Sequence, residues 1–185
     1  MSKVGKQPVE IPVDVEIEID KNLVSVTGPK GAQSLAIHPQ ISVELVNSQV
    51  LVKRKNDAKI AKALHGLTRT LIYNMVVGVT KGWEKIIEVS GTGFGVRFEG
   101  GKLILKLGFS HLIEFTPPKG IATEVSENKI KITGANKAKV GEIAAKIRAF
   151  SPPNPYSGKG IRYLGEKLKL KPGKAARAVG GIGKA

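Results

Sequence analysis

The chain has 185 residues, with 30 Lys and Arg against 15 Asp and Glu, a formal charge of +15 and 41% apolar residues. That apolar share can build a core, which excludes wholesale disorder, and the surplus charge implies a polyanionic partner such as RNA, DNA or acidic lipid. With no cysteine, disulfides and thiolate metal sites are excluded, and no apolar run approaches the ~20 residues that span a bilayer.

The opening, Met1 to Pro8, lacks the apolar stretch of a signal peptide, so a soluble, cytoplasmic protein is expected. Val13, Val15, Ile17 and Ile19 then alternate with acidic residues, the period of a half-buried strand. Leu23 to Thr27 resumes as a strand and stops at Gly28-Pro29-Lys30-Gly31. Ile41 to Leu45, a turn at Asn47-Ser48, and Val50 to Val52 read as a hairpin. The period then becomes helical: Ile60, Leu64, Leu67, Leu71 and Met75 share one face. Asn56 or Asp57 can cap that helix, which should end near Gly78 or Gly82.

The same order recurs 80 residues later. Ile41/Ile121, Glu44/Glu124, Asn56/Asn136, Ala58/Ala138 and Lys59/Lys139 are identical, and Leu45/Val125, Val50/Ile130, Val52/Ile132 and Ile60/Val140 exchange one aliphatic residue for another. An internal duplication is the reading. The expected fold class is α+β: two tandem duplicated domains, each a small, mainly antiparallel sheet packed against one helix, plus a basic C-terminal tail. Residues 1–81 form the first repeat, 82–170 the second and main RNA-binding repeat, and 171–185 a basic flexible tail. The second helix should run from Lys137 to Ala149 and stop before Pro152-Pro153. Beyond it, residues 151–185 hold eight Lys or Arg against one Glu.

The segment Pro152 to Tyr163 concentrates the chemistry. Its glycines, Gly160 among them, allow close backbone approach and can present N–H groups to a phosphate. Lys159 and Arg162 supply charge, and Tyr156 and Tyr163 can stack on a base or sugar, or simply pack on the domain. Lys167, Lys169, Lys171, Lys174 and Arg177 crowd a stretch too poor in apolar residues to fold alone, which should order as phosphates neutralise it. Arg97 is a further candidate contact. Lys59 and Lys62, on the first helix, read as a solvated face.

Gly158-Lys159-Gly160 fails as a nucleotide loop because Ser or Thr does not follow the lysine. Gly91-Thr92-Gly93-Phe94-Gly95 leads into a strand and turn, not the helix a dinucleotide fingerprint requires. His38, His65 and His111 are scattered without metal-ligand spacing, so packing or surface roles are expected and no metal or cofactor is assigned. No nucleophile stands in a pattern with a base, and the sequence offers no case for an enzyme.

Several motifs resemble the bacterial large-subunit ribosomal protein family L-six (universal name u-L-six). They are Ser2 to Pro8 with Ile11-Pro12, Val26 to Gly31, Ala63 to Thr70, Leu107 to His111 and, the most specific, Pro155 to Tyr163. The resemblance covers about residues 1–175. It implies a duplicated two-domain fold that binds large-subunit rRNA near the sarcin–ricin loop, beside neighbouring ribosomal proteins and the site where translation factors dock. It puts the RNA contacts on Arg148, Tyr156, Lys159, Gly160, Arg162 and Lys167. Ser157 stands where the family commonly has a basic residue. A free RNA or DNA chaperone outside the ribosome is the competing reading. A nucleic-acid enzyme and an anionic-membrane binder are weaker ones, the latter because no terminal helix joins a basic face to a strongly apolar one.

Overall fold

The structure is a computed structural model that describes residues 3–173. The described residues divide into two compact units, one of those up to 83 with 134–139, the other of 84–133 with those from 140 on. In chain order the first unit carries β1 (Val9–Glu10), β2 (Glu16–Asp20), β3 (Leu23–Gly28), β4 (Gly31–Ala36), β5 (Ile41–Val46), β6 (Gln49–Arg54) and helix α1 (Lys59–Thr80). The strands form two three-stranded sheets, ordered β1-β6-β5 and β2-β3-β4, antiparallel throughout. The β5–β6 hairpin turns on Asn47 and Ser48, both at positive φ, the two-residue geometry that matches strand twist. α1 lies against strands of both sheets and closes a core that includes Val24, Val26, Val50, Ile72, Val76 and Val79.

Three expectations for this unit need correction. The strand expected from Val13 starts only at Glu16, because the Val15 N–H donates to the Pro12 carbonyl at 3.1 Å and folds Val13 into a turn, fully exposed. The strand β4, Gly-Ala-Gln-Ser-Leu-Ala, carries no β-branched residue and gave no strand signal. The apolar face of α1 is rotated by about one residue: Ala61, His65, Thr68, Ile72, Met75, Val76 and Val79 are buried, while Ile60 and Leu67 are exposed. Helix α1 starts at an N-cap, Ala58, that has no side-chain cap. Asn56 Oδ1 only reaches the Ala58 N–H at 3.4 Å, and Asp57 is taken by Arg54. The helix does end between the two expected glycines. Gly82, at φ +79°, donates its N–H to the Val77 carbonyl, whereas Gly78 stays helical, in a place where the Ala135 carbonyl leaves no room for a Cβ.

The second unit carries β7 (Trp83–Ser90), β8 (Gly95–Glu99), β9 (Lys102–Lys106), β10 (Ile113–Phe115), β11 (Ile121–Ser126), β12 (Lys129–Gly134), helix α2 (Lys137–Phe150) and β13 (Gly160–Tyr163). Its sheets are ordered β10-β9-β8 and β11-β12-β7-β13. Here Asn136 does cap its helix, accepting from the N–H groups of Ala138 and Lys139 at 3.0 and 3.1 Å. Buried apolar residues include Ile87, Leu103, Leu105, Ile130, Ile132, Ile147 and Ile161. The protein is therefore α+β, with mostly antiparallel sheets and, among the described residues, two helices.

Candidate nucleic-acid interface

The proline–glycine segment after α2 is a built loop. Asn154 Oδ1 accepts from the N–H groups of Tyr156 and Ser157 at 2.8 and 3.2 Å. The Asn154 carbonyl accepts from Gly158 at 2.9 Å, and its N–H donates to the Lys159 carbonyl at 2.8 Å. An Asn-Pro pair is a turn signal, and here the side chain of one residue ties two N–H groups and its backbone ties two more residues. Strand β13 then lies antiparallel to β7, with Ile161 opposite Val89 and fully buried. Past β13 the chain folds back: the Lys171 N–H donates to the Pro155 carbonyl at 2.8 Å, and Leu170 lies against Gly158.

This architecture sorts the expected contact residues into two kinds. Lys159, Lys167, Lys169 and Lys171 are exposed, and among the described residues none of their ammonium groups has an ion-pair partner. The two arginines are engaged. Arg162 faces Glu88 across the β13–β7 pair, with an ion pair at 3.0 Å. Arg148 reaches the Glu166 carboxylate at 2.7 Å, and the other oxygen of Glu166 accepts from the Tyr163 N–H at 3.1 Å. All four side chains are about a third exposed or less, so these pairs are better shielded from solvent than surface ones.

The tyrosines divide likewise. The Tyr163 ring has the Arg148 guanidinium and the Lys85 ammonium each 5.2 Å from its centroid. Tyr156 is 60% exposed and open to stacking. Gly160 is buried at φ +139°, and a Cβ there would sit 2.6 Å from Pro153 Cα, so the close approach it permits is to its own chain. Arg97 is exposed on β8 and lines an open cleft with Lys106 and Glu99. Lys174 and Arg177 lie outside the described residues. The expectation that the whole basic run orders only on binding is corrected as far as Lys171, whose backbone is already tied to the loop. Sequence reasoning missed Lys85, Glu88, Asn154 and Glu166. Only Asn154, before a proline, carried a local signal.

Fold and charge together define a small basic α+β protein with a lysine-bearing loop. The family described as Ribosomal protein L6 matches residues 11–82 and again 90–164. Similar proteins, each named Large ribosomal subunit protein uL6, include one from Caldicellulosiruptor saccharolyticus, 51% identical, covering 96% of this chain and 98% of the relative. Others come from Dictyoglomus turgidum (49% identical, 96% and 99% covered) and Chloroflexus aurantiacus (46% identical, 96% and 100% covered). The chain belongs to the ribosomal protein L6 family, a structural and non-enzymatic one.

Proposed function

We propose that the protein is a structural component of the large ribosomal subunit, working in the cytoplasm, that holds large-subunit rRNA near the sarcin–ricin loop and the translation-factor site. The observation that carries the reading is the stapled segment 152–171, which presents Lys159, Lys167, Lys169 and Lys171, without ion-pair partners among the described residues, from one folded piece of chain. Four such ammonium groups read phosphate and shape, and Tyr156 offers a stacking face. Arg148, Arg162 and Tyr163 fix the loop from beneath and meet RNA at their exposed edges. Gly160 lets the loop close, and Arg97 extends the charged surface along β8. Neighbouring ribosomal proteins are the expected protein contacts, with translation factors nearby.

We further read the fold as a tandem duplication, with repeats 1–81 and 82–170 and a basic tail 171–185. Strands β5 and β6 repeat as β11 and β12 at a spacing of 80 residues, and Asn56 and Asn136 each bond the N–H two residues on. The sheet order β1-β6-β5 is echoed in β7-β12-β11.

The test is binding of protein-free large-subunit rRNA across a salt series. Each phosphate-contacting lysine removed, Lys159→Ala first, should lower the slope of log K against log salt by about 0.7–0.9. The protein should also stay with large subunits through a high-salt wash. A protein that washes off while still binding RNA is the free chaperone instead.

A further inference from the structure

The first unit holds a basic concavity that the loop of the second unit does not account for. It is an open cleft of about 660 Å³ at the junction of β6 and α1, lined by Lys6, Lys53, Arg54, Lys55, Asp57 and His65 among others. Four cations line it against one lining carboxylate, Asp57, while a second carboxylate, Glu44, holds Lys53 at 2.6 Å from outside the lining, so Lys55 is the cation given most fully to the cleft. Separate pieces of chain bring them there. Strand alternation turns Val52 inward and Lys53 outward at the end of β6. The Lys55 N–H donates to the Gln40 carbonyl at 3.0 Å, which pins the turn that follows.

Lys6 arrives on the N-terminal segment, which is clamped in two ways. Gly5 sits so close over the His65 ring that a Cβ there would lie 2.4 Å from Nδ1. The Arg69 guanidinium donates to the carbonyls of Gln7 and Pro8 at 3.2 and 3.4 Å. His65, only 3% exposed, forms the floor and donates its Nε2–H to the Val52 carbonyl at 2.8 Å, the residue just before the cationic run. Its Nδ1 has no hydrogen-bond partner among the described residues. A buried histidine placed to hold both walls of a cleft is a device for fixing the cations above it.

The cleft already holds one anion of the protein's own. Arg54 Nε donates to Asp57 Oδ1 at 2.7 Å. That hydrogen bond, the Arg54 charge and the Lys62 charge keep the Asp57 carboxyl below its ordinary range. No Phe, Tyr or Trp is among the lining residues, and the His65 ring is buried in the floor, so the lining offers charge more than stacking faces. The chemistry suits a phosphate.

We propose that this cleft is a second phosphate seat, taking the backbone of an RNA segment separate from the one held by residues 152–171. This rests on the rRNA-binding reading above, since RNA is the polyanion that reading places around the protein.

The experiment uses the full chain and protein-free large-subunit rRNA. Lys55→Gln, and Lys53→Gln with Lys55→Gln, should lower the salt slope by about 0.7–0.9 per lysine. The decrement should add to that of Lys159→Gln, and Lys129→Gln, exposed at the start of β12 and part of neither the cleft lining nor the 152–171 segment, should change nothing. Unchanged thermal unfolding of the variants shows that charge and not folding is read. If the Lys53/Lys55 variant keeps the wild-type slope while Lys159→Gln lowers it, the second seat is overturned and the main interface stands. If Lys129→Gln lowers the slope as much, the effect is general charge and the seat is again overturned. Wild-type protein with no salt-dependent rRNA binding sinks both readings. A photo-crosslinker at position 55 in assembled subunits should attach to nucleotides, and attachment to protein alone overturns the proposal.

Discussion

Gly160 is required twice over. Its φ of +139° is strained for any side chain, and its missing Cβ is where Pro152 and Pro153 pack. Gly160→Ala should therefore cost about 2–4 kcal/mol, left-handed strain plus overpacking. Urea unfolding measures it, and a wild-type midpoint would show that the loop yields freely. The sequence made this glycine legible as a site of close approach but not what approaches it, because the answer lies seven residues back and across a turn. The arginines teach the same lesson. Arg162 and Glu88 are 74 residues apart, and only the β13–β7 register makes them neighbours. Counting cations along the chain gives the total charge. It cannot tell a cation already matched by a carboxylate from one left for a ligand.

At the scale of elements, helix α1 is the instructive case. The sequence carries two apolar stripes there, and the more continuous one, Ile60-Leu64-Leu67-Leu71, is not the one fully buried. The buried stripe is interrupted by His65 and Thr68, whose polarity hid it. His65 is tolerated because Val52 gives its ring N–H an acceptor inside the core. Truncation separates the stripes: Ile72→Ala should lower stability by about 2–5 kcal/mol, and Leu67→Ala by no more than about 0.5 kcal/mol. Denaturant midpoints give both values, and equal costs would return Leu67 to the core. The period was thus readable, but its phase was not. Helix α2 and the hairpin at Asn47-Ser48 followed their local signals closely, because strong turn and cap residues leave the backbone few alternatives.

For the molecule as a whole, composition alone pointed to a polyanion, and the fold decides where that charge is usable. Of the cations expected to meet RNA, the lysines of 159–171 stand open while Arg148 and Arg162 are spoken for by Glu166 and Glu88. The class of fold and the family were legible because turn and loop motifs are set by backbone rules that local sequence obeys. The cleft beside His65 was not, since residues 6, 53–55 and 65 meet only after folding.

The tie from Lys171 back to Pro155 has a thermodynamic corollary. On the proposed reading, a segment fastened to its own loop gives up less freedom on binding than a loose one, and association at these lysines resembles the docking of a finished part. Titration calorimetry should accordingly show a small heat-capacity change for this contact. The large negative change of coupled folding, equivalent to about 1,000–3,000 Å² of newly covered surface, would mean that the clasp opens first.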